Sequence, residues 1–194
     1  GLGLTYLLAA GALRLLGAAG VTLLIEAFLA LGAAFLTIAI PLALDGHWTS
    51  ALWAAEGAAL VWVGVRQSRV LARAAGLALQ LAAGLAFVAA GPAGTGSVPV
   101  LNGDALGYLI LALAGLFSSY YLERHAAALW REEAPLTWLA LAWGGAWWLA
   151  LGIHETDRFL DDAPGFTAFL LFLAGSGLAA GVVSRLLGWA GLGL

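Results

Sequence analysis

Residues 71–90 read "LARAAGLALQLAAGLAFVAA", an apolar run broken by Arg73 near its start and Gln80 at its centre. The run is too long for an ordinary strand and lacks the alternation a half-buried strand would show. Coiled into a helix rising 1.5 Å per residue it covers about 30 Å, which is the thickness of a bilayer's hydrocarbon core. This stretch therefore predicts a transmembrane α-helix. Runs of the same kind fall at about 2–17, 20–44, 49–66, 105–122, 136–152 and 165–184. Together they predict an all-α polytopic bundle of about seven spans, treated as one transmembrane region over 1–194. A transmembrane β-barrel would need segments of about ten residues with polar inward positions, and these runs have neither feature.

Composition agrees with that class. The chain is 63% hydrophobic and 10% charged, against roughly 45–50% and about 25% in soluble domains. It has no cysteine, which excludes disulfides, thiolate nucleophiles and cysteine-ligated metals. No phosphate-cradling loop, nucleophile elbow or nucleotide fingerprint is present. Accordingly no cofactor, no metal, no catalytic residue and no nucleic-acid partner is expected. The expected partners are the lipid bilayer and either the remaining spans of a parent protein or other membrane subunits. Methionine is absent even at position 1 and both ends are apolar, so an interior piece of a longer chain is expected.

The breaks between runs have physical causes. Asp45-Gly46 carries turn chemistry, and Thr49 or Ser50 is suited to cap the next helix. "GPAGTGSVPVLNGD", 91–104, reads as a glycine and proline loop, and Pro135 sets a helix start. All eight basic residues are arginine, and basic short loops stay cytoplasmic. Placing Arg66, Arg69 and Arg73 inside puts Arg14, Arg124, Arg131 and Arg185 there too and leaves only Arg158 outside. The N-terminus is then outside and the C-terminus inside. Tryptophan and tyrosine fit the same frame, with Trp48, Trp53, Tyr108, Trp147 and Trp148 toward the outer surface, Trp62, Tyr120, Tyr121, Trp130 and Trp138 toward the inner one, and Trp143 alone near mid-depth.

Three strongly polar residues fall inside spans: Glu26, Glu56 and Gln80. An acid at a helix centre costs about 2.5–3.5 kcal/mol on insertion scales, so such groups usually face a bundle interior or a wet cavity. Glu56 lies roughly 10 Å and Gln80 roughly 15 Å below the outer helix ends, close enough in depth to meet, with Glu26 near the inner side. Gly76, Gln80 and Gly84 recur every four residues and form one stripe, which admits a neighbouring helix with Gln80 bonding across it. Ala51, Ala55 and Ala59 offer a similar small stripe beside Glu56. Two uses stand open: packing between helices, or a polar path for a transported species.

The remaining candidates carry weaker signals. Asp45 and His47 share an outer turn, and "HETDRFLDDAPG", 154–165, reads as a solvated acidic loop bearing His154 and Glu155. Neither has zincin or calcium-loop spacing. "LERHAAALWREEAP", 122–135, reads as a short surface helix with Leu129 and Trp130 dipping into the interface. Gly177 and Gly181 repeat the close-packing spacing in the last span.

The block from Glu26 to Gln67, with Glu26-Ala27-Phe28, Ile40 to Asp45, Trp48-Thr49, Trp53, Glu56-Gly57-Ala58, Trp62 and Arg66-Gln67, resembles domain-of-unknown-function family 2339, large bacterial predicted membrane proteins. The resemblance implies an interior part of a multi-pass protein of the bacterial cytoplasmic (inner) membrane. It supplies no activity and no site residues.

Overall fold

The computed structural model describes residues 46–91 and 98–193. The runs at 2–17 and 20–44, with Glu26 and Asp45, lie outside them. The described residues form helices α1 (Gly46–Arg66), α2 (Val70–Ala90), α3 (Gly103–Arg124), α4 (Ala134–Phe159) and α5 (Asp162–Leu187), with short 3-10 turns at Ala126–Ala128, Arg131–Glu133 and Ala190–Gly193. Among the described residues four stretches, rather than the five runs expected there, are long and apolar enough to cross a membrane: Val70–Ala90, Gly103–Arg124, Arg131–Phe159 and Ala163–Leu187. The fifth helix, α1, is 21 residues long but is not one of these four, because Thr49, Ser50 and Glu56 dilute its apolar character.

Helix starts follow local chemistry in part. Pro135 stands in the first turn of α4, as expected, where a missing N–H costs nothing. Asn102 caps α3, its Oδ1 accepting from the Ala105 N–H at 2.8 Å. Thr49 and Ser50 do not cap α1, which begins at Gly46 and buries both inside its first turns. The acidic stretch from His154 also departs from expectation: α4 runs on to Phe159, so His154, Glu155 and Arg158 occupy its last turns. Charge alone suggested a loop there. Partners on α3 and in the segment that enters it supply the reason for a helix.

α1 packs on α2, α3 on α4, and α1 on α3, while α5 leans on α4. The two hairpins close by backbone contact. A Cβ on Gly57 would stand 2.6 Å from the Gly76 carbonyl oxygen, and one on Gly115 would stand 2.7 Å from the Gly144 Cα. No side chain larger than hydrogen fits at those crossings. Ser68 turns the α1–α2 hairpin with φ 54°, and the Arg69 N–H donates to the Gly64 carbonyl at 2.8 Å.

The core between the hairpins holds Ala54, Ala58, Ala83, Phe87, Leu111, Ala112 and Trp147, with Val61, Val65 and Leu122 nearer the other end. The small stripe of α1 that faces α2 therefore runs through Gly57, Val61 and Gly64. The Ala51, Ala55 and Ala59 stripe does not do so: Ala55 and Ala59 are exposed and line an apolar groove with Trp62, Ile110 and Phe117. The aromatic belt divides likewise. Phe87 meets Tyr108 and Trp147 edge to face in the core, with Tyr108 tilted on Trp147, whereas Trp62, Trp130 and Trp138 are exposed.

Candidate functional site

Since α1 to α4 alternate in direction, their polar residues gather at three levels. At one end the carboxylate of Asp104, fully buried in the first turn of α3, accepts from Arg158 Nη1 at 2.8 Å. A helix N-terminus favours an anion there. His154 Nε2 stands 3.8 Å from the same Asp104 oxygen, and its ring lies 5.0 Å from that of Tyr108. Glu155 accepts from the Val100 N–H at 2.6 Å and from Asn102 Nδ2 at 2.8 Å. It thereby holds Val100 at φ 66°, a conformation that a β-branched residue rarely adopts unaided. Glu155 thus ties α4 to the segment that enters α3, while the His154 ring packs against Tyr108 of α3 itself.

At mid-depth Gln80 is 2% exposed. Its Nε2 donates to Ser118 Oγ at 2.7 Å, and that hydroxyl donates onward to the Ala114 carbonyl at 2.8 Å. The tie works because Gly57 of α1 has no side chain: a Cβ there would meet Gln80 Cγ at 2.7 Å. Gln80 thus leans over α1 to reach α3, and its hydrogen-bond partner is Ser118 rather than Glu56. Glu56 is half-buried on the next residue of α1. Gly76, Gln80 and Gly84 meet three different neighbours: Gly76 meets α1, Gln80 meets α3 and Gly84 meets Trp143 and Trp147 of α4.

At the other end Arg73 is 1% exposed. Its Nε and Nη2 donate to the two oxygens of Glu133 at 2.9 and 2.6 Å, and Nη1 donates to the Gly64 carbonyl at 3.0 Å. The pair is bidentate, the strong geometry for a guanidinium and a carboxylate. Glu133 Oε2 also accepts from the Trp130 N–H at 2.9 Å. One ion pair therefore joins the end of α1, the start of α2 and the entry to α4. Nearby, Glu123 accepts from the N–H groups of Ala190 and Gly191.

Sequence reasoning missed this pair. Arg73 counted as a cytoplasmic charge and Glu133 as part of the connection over 122–135, and sixty positions separate them. The Asp104–Arg158 tie left a trace, because Arg158 is the single arginine among the acidic positions of its end. Gly177 and Gly181 have nothing within 4 Å of an added Cβ. Of His47 only the backbone is described, in the first turn of α1.

The outward faces carry Leu71, Leu85 and Val88 of α2 and Leu178, Val182 and Leu186 of α5, all exposed. An apolar surface of this extent belongs in a bilayer rather than in water. With four helices of spanning length among the described residues and buried Arg73 and Asp104 each paired with an opposite charge, the chain is a helical membrane protein. The family model described as "Predicted membrane protein (DUF2339)" matches residues 1–194, and the chain belongs to that family. No curated protein and no solved structure matches it.

Proposed function

We propose that the chain is a structural module of a larger bacterial cytoplasmic-membrane protein, in which buried polar residues fasten helices to one another. The observation that carries this reading is Gln80, buried across Gly57 and bonded to Ser118. In lipid there is no hydrophobic drive between helices, so close glycine contacts and interhelical hydrogen bonds supply the attraction. The Arg73–Glu133 and Asp104–Arg158 pairs serve the same purpose at the two ends.

The orientation that accompanies this reading has the Arg73 end cytoplasmic. It is supported by alternation, which gathers Arg66, Arg69, Arg73, Arg124, Arg131 and Arg185 at that end and leaves Arg158 at the other. Single cysteines introduced at Ser68 and Asp157 test it, since the chain has none of its own. Impermeant thiol reagents on intact cells should label the second and spare the first. The reverse result overturns the orientation.

The competing reading is a transporter or channel component with a polar path through Glu56 and Gln80, favoured by the half-buried acid within a span. Proteoliposome flux assays separate the two. Flux of protons or ions that Glu56→Gln abolishes, with thermal stability unchanged, would displace the structural reading; a leak-free bundle that Gln80→Leu loosens would support it.

A further inference from the structure

A cavity of about 430 Å³ opens at the Arg73 end between the α3–α4 connection and the turn at Ala190–Gly193. This volume lies within the range of roughly 300–1,000 Å³ typical of small-ligand pockets. Glu123, Trp130, Arg131, Thr137 and Trp138 contribute to its wall. Two features separate it from a packing gap. First, its donors are unused: among the described residues the Arg131 guanidinium, the Thr137 hydroxyl and the indole N–H groups of Trp130 and Trp138 have no partner. Second, it holds fixed charges of opposite sign, because Glu123 and Arg131 line one opening without forming an ion pair with each other.

Both charges are held from behind. Glu123 is pinned by the N–H groups of Ala190 at 2.9 Å and Gly191 at 3.1 Å. The Trp130-Arg131 turn is pinned by Glu133, which bonds the Trp130 N–H while it pairs with buried Arg73. Carboxylate oxygens have lone pairs to spare after such bonds, so Glu123 can still accept from a ligand. Trp130 and Trp138 are 66% and 51% exposed and stand where apolar helices end, the level at which indoles meet lipid headgroups.

We propose that this cavity binds a zwitterionic phospholipid with a primary-amine headgroup, drawn from the leaflet at that end. The phosphodiester sits on Arg131 with Thr137 as a second donor, the ammonium donates to Glu123, and the acyl chains descend past Trp138 and the exposed Leu139. A guanidinium bonded to phosphate is a charge-assisted contact of the stronger kind. A purely anionic headgroup would bring its charge against Glu123 and the exposed Glu132. A quaternary ammonium has no N–H for Glu123 to accept.

Native mass spectrometry of the full-length protein in detergent tests this. The probes are phosphatidylethanolamine, phosphatidylcholine and phosphatidylglycerol of identical chains, with inorganic phosphate as competitor. The ethanolamine lipid should be retained preferentially over the other two, and millimolar phosphate should not displace it. Arg131→Gln should weaken retention of all three lipids about tenfold. Glu123→Gln should weaken retention of the ethanolamine lipid more than that of the choline lipid, and so shrink the preference between them. Equal retention of the three lipids, preference for the glycerol lipid, or displacement by phosphate would each overturn the proposal. The preference of the unmodified protein is decisive even if a variant fails to fold.

Discussion

α2 and α5 carry the same signature, glycines at helical spacing in an apolar run, yet only α2 uses it. Gly76 closes against the backbone of α1 and Gly84 against Trp143 and Trp147, while Gly177 and Gly181 meet nothing within 4 Å. α5 is attached to α4 by side chains instead: Trp148 Nε1 donates to Ser176 Oγ at 2.9 Å, and Phe172 stacks on Trp148 and covers Gly152. None of the apolar window of α5 is buried. Small residues permit close approach without causing it. What α2 has in addition is a polar residue in register, Gln80, with an acceptor waiting on α3, and an arginine at its foot with a carboxylate waiting in the turn that enters α4.

This contrast can be broken or sharpened by substitution, with unfolding in detergent as the readout. The largest effect is expected from Glu133→Ala, which leaves the Arg73 guanidinium buried and uncompensated at a cost of about 3–5 kcal/mol. Replacing both partners by leucine should recover much of that loss, and failure to recover would show that the Arg73 bond to the Gly64 carbonyl matters as much as the ion pair. Next comes Gly144→Leu, which must push α3 from α4 and should cost about 1–3 kcal/mol. If it is neutral, the backbone contact with Gly115 is not a determinant of the hairpin.

Gln80→Leu should cost about 0.6–1.7 kcal/mol, the span measured for polar contacts inside membrane bundles. A double-mutant cycle with Ser118→Ala should show non-additivity, since the two residues form one bond. Additive losses would mean that Gln80 acts through bulk alone. The smallest effect, within about 0.5 kcal/mol, is expected for Gly177→Leu and Gly181→Leu. A loss comparable to that of Gly144→Leu would reveal a helix seated on α5 in the assembled protein.

The readings that survived from the sequence rest on one-dimensional physics. Run length gave helices close to 70–90, 103–124 and 162–187, and proline chemistry gave the start of α4. Readings that failed shared a cause, namely that a charged or polar residue was judged by itself. His154 to Arg158 looked like solvated loop because their partners, Asp104, Asn102 and the Val100 N–H, belong to another part of the chain. Thr49 and Ser50 looked like caps, although three residues upstream already continue the helix. For Gln80 the sequence offered Glu56 as a partner at similar depth, whereas its side chain donates to Ser118.

The sequence by itself determined the class of this protein and the helical character of its described apolar runs, because apolar length acts on each segment separately through the bilayer. Only the tertiary structure decided which polar groups meet. Ser118 rather than Glu56 receives Gln80, and Glu133 receives Arg73, because facing side chains depend on how two helices rotate about their axes. That rotation is set where Gly57 and Gly76, or Gly115 and Gly144, let the backbones touch, a contact between residues that no local pattern links.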